Sequence, residues 1–489
     1  MTQAQLLTPL RIERAAVARG MRDPVHVSGR GPDGAPPRTG LPTVVAGVAG
    51  GLDPAVHPGD LVVADRIRCH DTEIRLPSAG PLAAALRAAG LTVHVGTVES
   101  ADHVVTGAER DALAARGGLA VDTESAYLAT KLDPQQLAIV RAVVDTADDP
   151  LLHPGTLRRG VAALRSLRRA APVLQQWLDA CGPRTVVRAE PQSFCAGVER
   201  AIEIVERALE RHGAPVYVRR QIVHNTHVVA DLERRGAVFV QELDEVPEGA
   251  TAVLAAHGVA PSVRRQAIER RLHVIDATCP LVAKVHQEVR RFSGSGRTVF
   301  LIGHADHEEV VGTRGEAPDH VEVVGSVADA RSVQVAHPER VSYVMQTTLS
   351  VEEADEIATV LRGRFPALQA PRRDDICYAT SNRQHAVRQV AADTDLVLVV
   401  GSANSSNSMR LVEVARAAGT DAHLIEDASD LRLEWLTGVH RIGVSAGASA
   451  PPTLVDELIA ALSAFGDIEV TRHGGVTETV QFTLPREVV

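Results

Sequence analysis

From residue 183 onward the chain alternates between two patterns. Short apolar runs such as VYV, AVFV, TAVLAA, HVID, TVFLI, VEVV, SYVM, LVLVV and IGVS are separated by stretches in which apolar residues recur every three or four positions. In GVERAIEIVERALERHG, for example, Ile202, Val205 and Leu209 fall on one face with charged residues between them. The short runs predict buried strands, and the longer pattern predicts helices that cover them. Such alternation predicts an α/β fold with largely parallel sheets, whose ligand sites lie at the carboxyl ends of strands. Polar residues punctuate those ends: His257 after TAVLAA, Cys279 after VIDAT, His304 after VFLIG and Ser445 in RIGVS.

Residues 1–182 read as a separate α/β module. A Gly- and Pro-rich loop (27–42) leads into strands at PTVVAGVA, DLVVAD and TVHVGTV. An arginine-rich helical stretch (156–182) follows, read as a connector or final helix with a solvated basic face, and it stops at Gly182-Pro183. The expected division is therefore 1–182 and 183–489, two modules sharing few core residues.

Bulk properties narrow the function. At 489 residues the chain has room for several domains, and 45% hydrophobic with 23% charged residues is ordinary for a globular protein. The net charge of −10 argues against a nucleic-acid binder. No apolar run approaches the length of a membrane span, and the first residues lack a secretory signal pattern. Five widely spaced cysteines make no disulfide framework, so a reducing cytoplasm is the expected compartment.

Three cysteines carry the chemistry. Cys195 (SFCAGV), Cys279 (DATCPLV) and Cys377 (DDICYAT) each stand where a strand pattern gives way to a helix, about one small α/β unit apart. Thiolates at helix N-termini are stabilised by free N–H groups. Structural zinc sites use four closely paired ligands, so three isolated cysteines suit an iron–sulfur cluster with one iron left open. Cys69 and Cys181 read as small buried hydrophobes. Histidines at strand ends (His224, His257, His304, His307) with Glu309 suggest a polar pocket whose imidazoles bind an anion, with charge adjustable near neutral pH. Hydroxyl and amide clusters in QTTLS (Thr347, Thr348), GSANSSNS (Ser405, Ser406, Asn407) and SAGASAP (Ser449) would be ordinary helix caps singly, but together they suit a phosphate cradle.

These motifs, in the order FCAGV, VHN, AHGV, DATCPLV, LIGH, QTTLS, DDICYAT, VLVVGS and AGASAP, resemble the 4-hydroxy-3-methylbut-2-enyl diphosphate reductase (LytB) family from about Val186 to the end. The resemblance implies three α/β lobes around one 4Fe–4S cluster per chain, held by Cys195, Cys279 and Cys377. It implies diphosphate binding by His224, His257, Ser405, Asn407 and Ser449, with Ser406 nearby, and a polar group of His307, Glu309 and Thr347 near the substrate hydroxyl. The implied reaction is reductive removal of that hydroxyl from an allylic diphosphate, with Glu309 as proton source and a ferredoxin or flavodoxin as electron donor. The products would be isopentenyl and dimethylallyl diphosphate, the last step of the non-mevalonate pathway. Two positions depart from the family pattern: Ser193 stands where Gly is usual, and Glu308 where HPE has Pro.

The first module resembles the nucleoside phosphorylase/nucleosidase superfamily in GVAGGLDPAVHPGDLVVAD, LAVDTESA and VRAVVDTADD. By that likeness Glu124 would bind ribose hydroxyls and Asp145 would protonate a leaving base, with Thr123 in place of the usual Met. It is read as nucleoside-binding or as a degenerate phosphorylase. Two rival classes compete for the second module: another three-lobed iron–sulfur enzyme such as quinolinate synthase, and a non-enzymatic metal or redox-sensing module.

Overall fold

The computed structural model describes residues 4–31, 38–70, 72–148 and 154–489, so part of the Gly- and Pro-rich loop (32–37) lies outside the described residues. Two compact units form: Met1–Val186 with Asp427–Ile442 and Asp456–Val470, and Val187–Glu426 with Gly443–Val455 and Thr471–Val489.

The first unit is built on an eight-stranded mixed sheet. Strand Thr43–Gly51 runs parallel to Gln5–Thr8 and Leu137–Asp145. Its register shifts between Ala49 and Gly50, and Gly50 and Gly51 then pair antiparallel with Gly118–Asp122. Strands Leu61–Cys69 and Val93–Ser100 complete a ring of pairings back to Leu137–Asp145. Alternate residues of these strands (Val45, Val62, Ala64, Ile67, Val98, Ile139, Val143) fill its interior. Helix Thr156–Ala180 buries Leu167, Leu174, Trp177 and Leu178 and exposes Arg158, Arg165, Arg168 and Arg169. It is thus a packed helix of this unit rather than a free connector, and it also meets the short helix Leu433–Leu436 of the same unit.

The rest of the chain forms three further sheets. Strands Ala237–Val240, Val216–Arg219, Thr251–Leu254 and His273–Asp276 form a parallel sheet in that order. Strands Val321–Val324, Thr298–Ile302 and Val341–Met345 form a second parallel sheet. The third has the order Asp421–Ile425, Leu396–Val400, Arg441–Ala446, Arg184–Glu190, Ile468–Gly474. Helices lie on these sheets with their own apolar clusters; Ala201, Ile204, Val205 and Ala208 of Ala196–His212, for example, pack on Val216 and Val218. Among the described residues no helix is long and apolar enough to cross a membrane.

Candidate active site

Each of the three motif cysteines is the N-cap of a helix: Cys195 before Ala196–His212, Cys279 before Pro280–Gly294 and Cys377 before Tyr378–Ala391. All three line a common cavity of about 110 Å³, with the first-turn N–H groups of Leu281 and Val282 acting on the Cys279 sulfur and those of Ala379 and Thr380 on the Cys377 sulfur. Their backbone amides fix them to the pocket loops. Cys195 N donates to Ala448 O (3.2 Å), Cys279 N to Ala256 O (2.9 Å) and Cys377 N to Thr347 O (3.1 Å). Each sulfur is thereby held against a loop that carries a candidate substrate residue: Ser449, His257 or Thr347 itself.

Gly197 shows how tightly the sulfurs are gathered. A Cβ there would lie 2.8 Å from Cys279 Sγ and 3.8 Å from Cys195 Sγ, so the glycine of FCAGV is required by close approach. Burial pushes the Cys279 thiol up to about 12, and burial followed by the nearby Cys195 raises Cys377. Three converging sulfurs, of which burial raises Cys279 and Cys377, fit a centre whose metal holds them as thiolates. The remaining cysteines, Cys69 and Cys181, lie in the first unit, and Cys181 is buried with its thiol pushed far up by desolvation. The donor set is three thiolates, as an iron–sulfur cluster with one protein-free iron requires.

Opposite the sulfurs stand the histidines and the carboxylate. His224 and His257 stack with ring centroids 4.1 Å apart, and His307 meets both edge-on at 5.9 and 6.0 Å. Burial, then the neighbouring His257, pushes His224 down to about 3 and His307 to about 4. Both are therefore neutral at pH 7 in the empty pocket, not poised near neutrality as the sequence suggests, because enclosure outweighs everything else. His307 Nδ1 accepts the Glu309 N–H (3.2 Å), which leaves Nε2 as its N–H donor. Glu309 is 2% exposed, and burial raises its carboxyl. Thr347 serves both its oxygens, the backbone N–H reaching Oε1 at 2.7 Å and the hydroxyl lying 2.8 Å from Oε2.

The cradle closes the other side. Ser405 caps Ser406–Ala417 through the Ser408 N–H (3.3 Å), and its Oγ lies 3.4 Å from Ser449 Oγ. Ser449 in turn donates to His224 O (2.9 Å). Asn407 accepts from Ala448 N (2.9 Å) and donates to Thr380 Oγ1 (3.4 Å). Ser406 Oγ lies 3.2 Å from Thr348 Oγ1. The structure brings the sequence-assigned residues of the second module, His304 excepted, to one cavity. His304 points elsewhere, to Arg410 at 3.0 Å. Thr380, whose hydroxyl reaches Cys377 Sγ at 3.7 Å, was missed by the sequence reading. Its position three residues past a helix cap was the available signal.

The two departures are also placed. Ser193 takes φ +62°, keeping the left-handed backbone that Gly adopts without cost. Glu308 lies 3.5 Å from His257 Nδ1 and 3.6 Å from Arg220. Although burial opposes ionisation, the bond to His257 and the nearby Arg220 hold its carboxyl at about 2.

A second cavity of about 500 Å³ lies in the first unit, lined by Glu13, Thr123, Glu124 and Asp145. Glu124 accepts from Thr123 and lies 3.6 Å from the buried Arg141; burial raises it. Asp145 is engaged by Arg110 at 2.6 Å. Glu13 accepts from Leu10 N (2.7 Å) and Val48 N (2.8 Å), and burial raises it too. Nothing in the local pattern of RIERAAV distinguishes Glu13 from a surface acid, so the sequence did not reveal it.

Three cysteines at helix starts, a buried carboxyl and an anion cradle on one cavity define an α/β unit with the side chains of an enzyme site. The sequence pattern of the LytB protein family matches residues 186–463, and this chain belongs to that family. It is 57% identical over 306 residues to the 4-hydroxy-3-methylbut-2-enyl diphosphate reductase of Acidothermus cellulolyticus, covering 62% of this chain and 90% of the relative. The reductase of Mycolicibacterium paratuberculosis is likewise 57% identical over 306 residues, with 62% and 92% covered. Among solved structures, the E-1-hydroxy-2-methyl-but-2-enyl-4-diphosphate reductase of Plasmodium falciparum aligns with a TM-score of 0.61 at 34% identity, over 63% of this chain and 97% of that one. The pattern of the phosphorylase superfamily matches residues 43–181.

Proposed function

We propose that residues 183–489 reduce 4-hydroxy-3-methylbut-2-enyl diphosphate to isopentenyl and dimethylallyl diphosphate. The observation that carries this is the buried Glu309–Thr347 pair on the wall of the cavity that the three cysteines share. One 4Fe–4S cluster held by Cys195, Cys279 and Cys377 would supply Lewis acidity and two electrons, one at a time, from a ferredoxin or flavodoxin.

The chain's own residues do the rest. The Ser405 and Ser449 hydroxyls, Ser406, Asn407 and the stacked His224 and His257 hold the diphosphate by N–H and O–H donors, with no Lys or Arg among the residues that line the cavity. This fixes the allylic end toward the sulfurs and excludes water from it. Glu309 holds a proton to higher pH than an ordinary carboxyl group, because burial raises it. The Thr347 hydroxyl at 2.8 Å passes that proton to the leaving oxygen, and His307 completes the polar wall. Balance requires two electrons and two protons per substrate, giving one alkene diphosphate and one water. The test is anaerobic purification, iron and sulfide analysis, and assay of the hydroxylated diphosphate with a reduced viologen. Absence of iron together with absence of turnover would sink the reading.

For the first module, Glu124 and Asp145 line one cavity with Glu13, which supports a nucleoside ligand. The Arg110 contact occupies the carboxylate that would protonate a leaving base, so this reading is of binding without turnover. Adenine release from an adenine nucleoside, abolished by Asp145→Asn, would overturn it.

A further inference from the structure

Two arginines outside the pocket tie together the three backbone segments that carry the cysteines. Arg383, two turns into the Cys377 helix, is fully buried. Its Nε and Nη2 donate to Ser193 O at 3.1 and 2.8 Å, and Nη2 also to Phe194 O at 3.2 Å. Its Nη1 donates to Ala379 O at 2.9 Å and to the Glu478 carboxylate at 3.1 and 3.2 Å. The guanidinium thus joins the two carbonyls just before Cys195 to the helix that Cys377 caps, and it holds Ser193 in its left-handed conformation.

Arg200, in the second turn of the Cys195 helix, makes the other link. Its Nη1 donates to Ala277 O (3.3 Å) and Thr278 O (3.2 Å), the two carbonyls just before Cys279. Its Nε donates to Thr483 O (2.8 Å). Both arginines therefore meet the same C-terminal segment. That segment is anchored further by Asn382 Nδ2 to Glu478 (3.0 Å) and by Leu484 and Val488, which pack with Ala201, Ile204, Val205 and Ala208 of the Cys195 helix.

We propose that Arg200, Arg383 and Glu478 form a brace, strapped by residues 475–489, that holds the three cysteine segments at the spacing a cluster needs, before and after it is inserted. The three are positioning residues. Carbonyls bridged by a planar, permanently charged fork cannot drift apart, and a fork spanning three acceptors has no lysine equivalent. The inference rests on the cluster reading above, but its own test does not need iron.

The test uses the full chain with Glu478→Gln, Arg200→Lys and Arg200→Met. Three quantities are measured: the labelling rate of Cys195, Cys279 and Cys377 by a maleimide in cluster-free protein, the rate at which a chelator bleaches the reconstituted cluster, and the melting temperature of the cluster-free protein. The expected result is labelling and bleaching faster by roughly an order of magnitude at nearly unchanged melting. Arg200→Lys should behave like Arg200→Met, because charge alone does not bridge. Unchanged labelling in folded variants would overturn the brace, as would full rescue by lysine or a fall in melting with labelling unaltered. A parent that takes up no iron would sink the cluster reading, while labelling would still decide the brace.

Discussion

At the residue scale the decisive pair is Glu308 and Glu309, adjacent carboxylates with opposite fates. Burial raises Glu309, whereas His257 and Arg220 hold Glu308 at about 2. Glu309 therefore keeps its proton to higher pH than Glu308 does, and Glu308 is the poorer donor. Glu309→Gln should therefore retain iron and bind substrate but turn over at least about a hundredfold more slowly. In the parent, kcat should fall on the alkaline side as Glu309 loses its proton, at a pH above the ordinary carboxylate range. A Glu309→Gln protein as fast as the parent would remove that role. Linkage has the matching sign: a carboxyl raised on folding favours the folded state at low pH, and that contribution is lost as pH rises through the folded value. Ser193 gives a second test. Its φ of +62° is costly for any residue with a Cβ, so Ser193→Gly should stabilise the cluster-free protein by about 0.5–1 kcal/mol, read from chemical denaturation. The departure from Gly was legible in the sequence, but its outcome was not. The Arg383 contacts to Ser193 O, with the Ser193 N–H bond to Ala446 O (3.3 Å), show why the strained backbone persists.

At the scale of elements, the site is a set of helix beginnings. Strand ends, caps and motif order were legible because cap chemistry is local, and that is why the cysteines could be singled out from sequence. The mutual approach of the three helices, Gly197 beneath two sulfurs and the stacking of His224 on His257 are tertiary facts with no local signature. Replacing Cys195, Cys279 or Cys377 by Ala should remove most of the iron, whereas Cys69→Ala and Cys181→Ala should leave it; iron and sulfide analysis checks both. The histidines give a pH test. Burial holds His224 at about 3 and His307 at about 4 in the empty pocket, and an anion beside them must raise both. Inorganic pyrophosphate should therefore bind with proton uptake and more weakly as pH rises above neutral. Calorimetry in buffers of different ionisation enthalpy reads the uptake directly. His224→Ala and His257→Ala should weaken that binding as well as turnover, and binding without proton uptake would remove the imidazoles from anion recognition.

At the scale of the whole molecule, the Gly182-Pro183 break was legible as a helix stop, but the segments that complete the first unit were not. Leu433 and Leu436 of a four-residue helix, and Leu462 and Phe465 further on, are buried, and their segments belong to the first unit although they lie far along the chain. Gly182 N donates to Phe465 O (2.7 Å), and the Arg184 guanidinium to Leu436 O (3.1 Å). Short apolar stretches carry no sign of which core they join, so a boundary read from local signals cuts through this packing. A chain starting at Pro183 keeps every proposed cluster ligand and substrate residue, and it should take up iron and reduce the substrate. Without helix Thr156–Ala180, however, it exposes the faces of Leu433 and Leu436 that the full chain buries. It should melt below the full chain and bind an apolar dye that the full chain does not, an effect of about 2 kcal/mol for each large side chain uncovered. Residues 1–182 alone should show the complementary defect along the face of Trp177 and Leu178. A truncated protein as stable as the parent would mean these contacts contribute nothing. One that folds but takes up no iron would mean that the first unit helps to set the spacing of the cysteines.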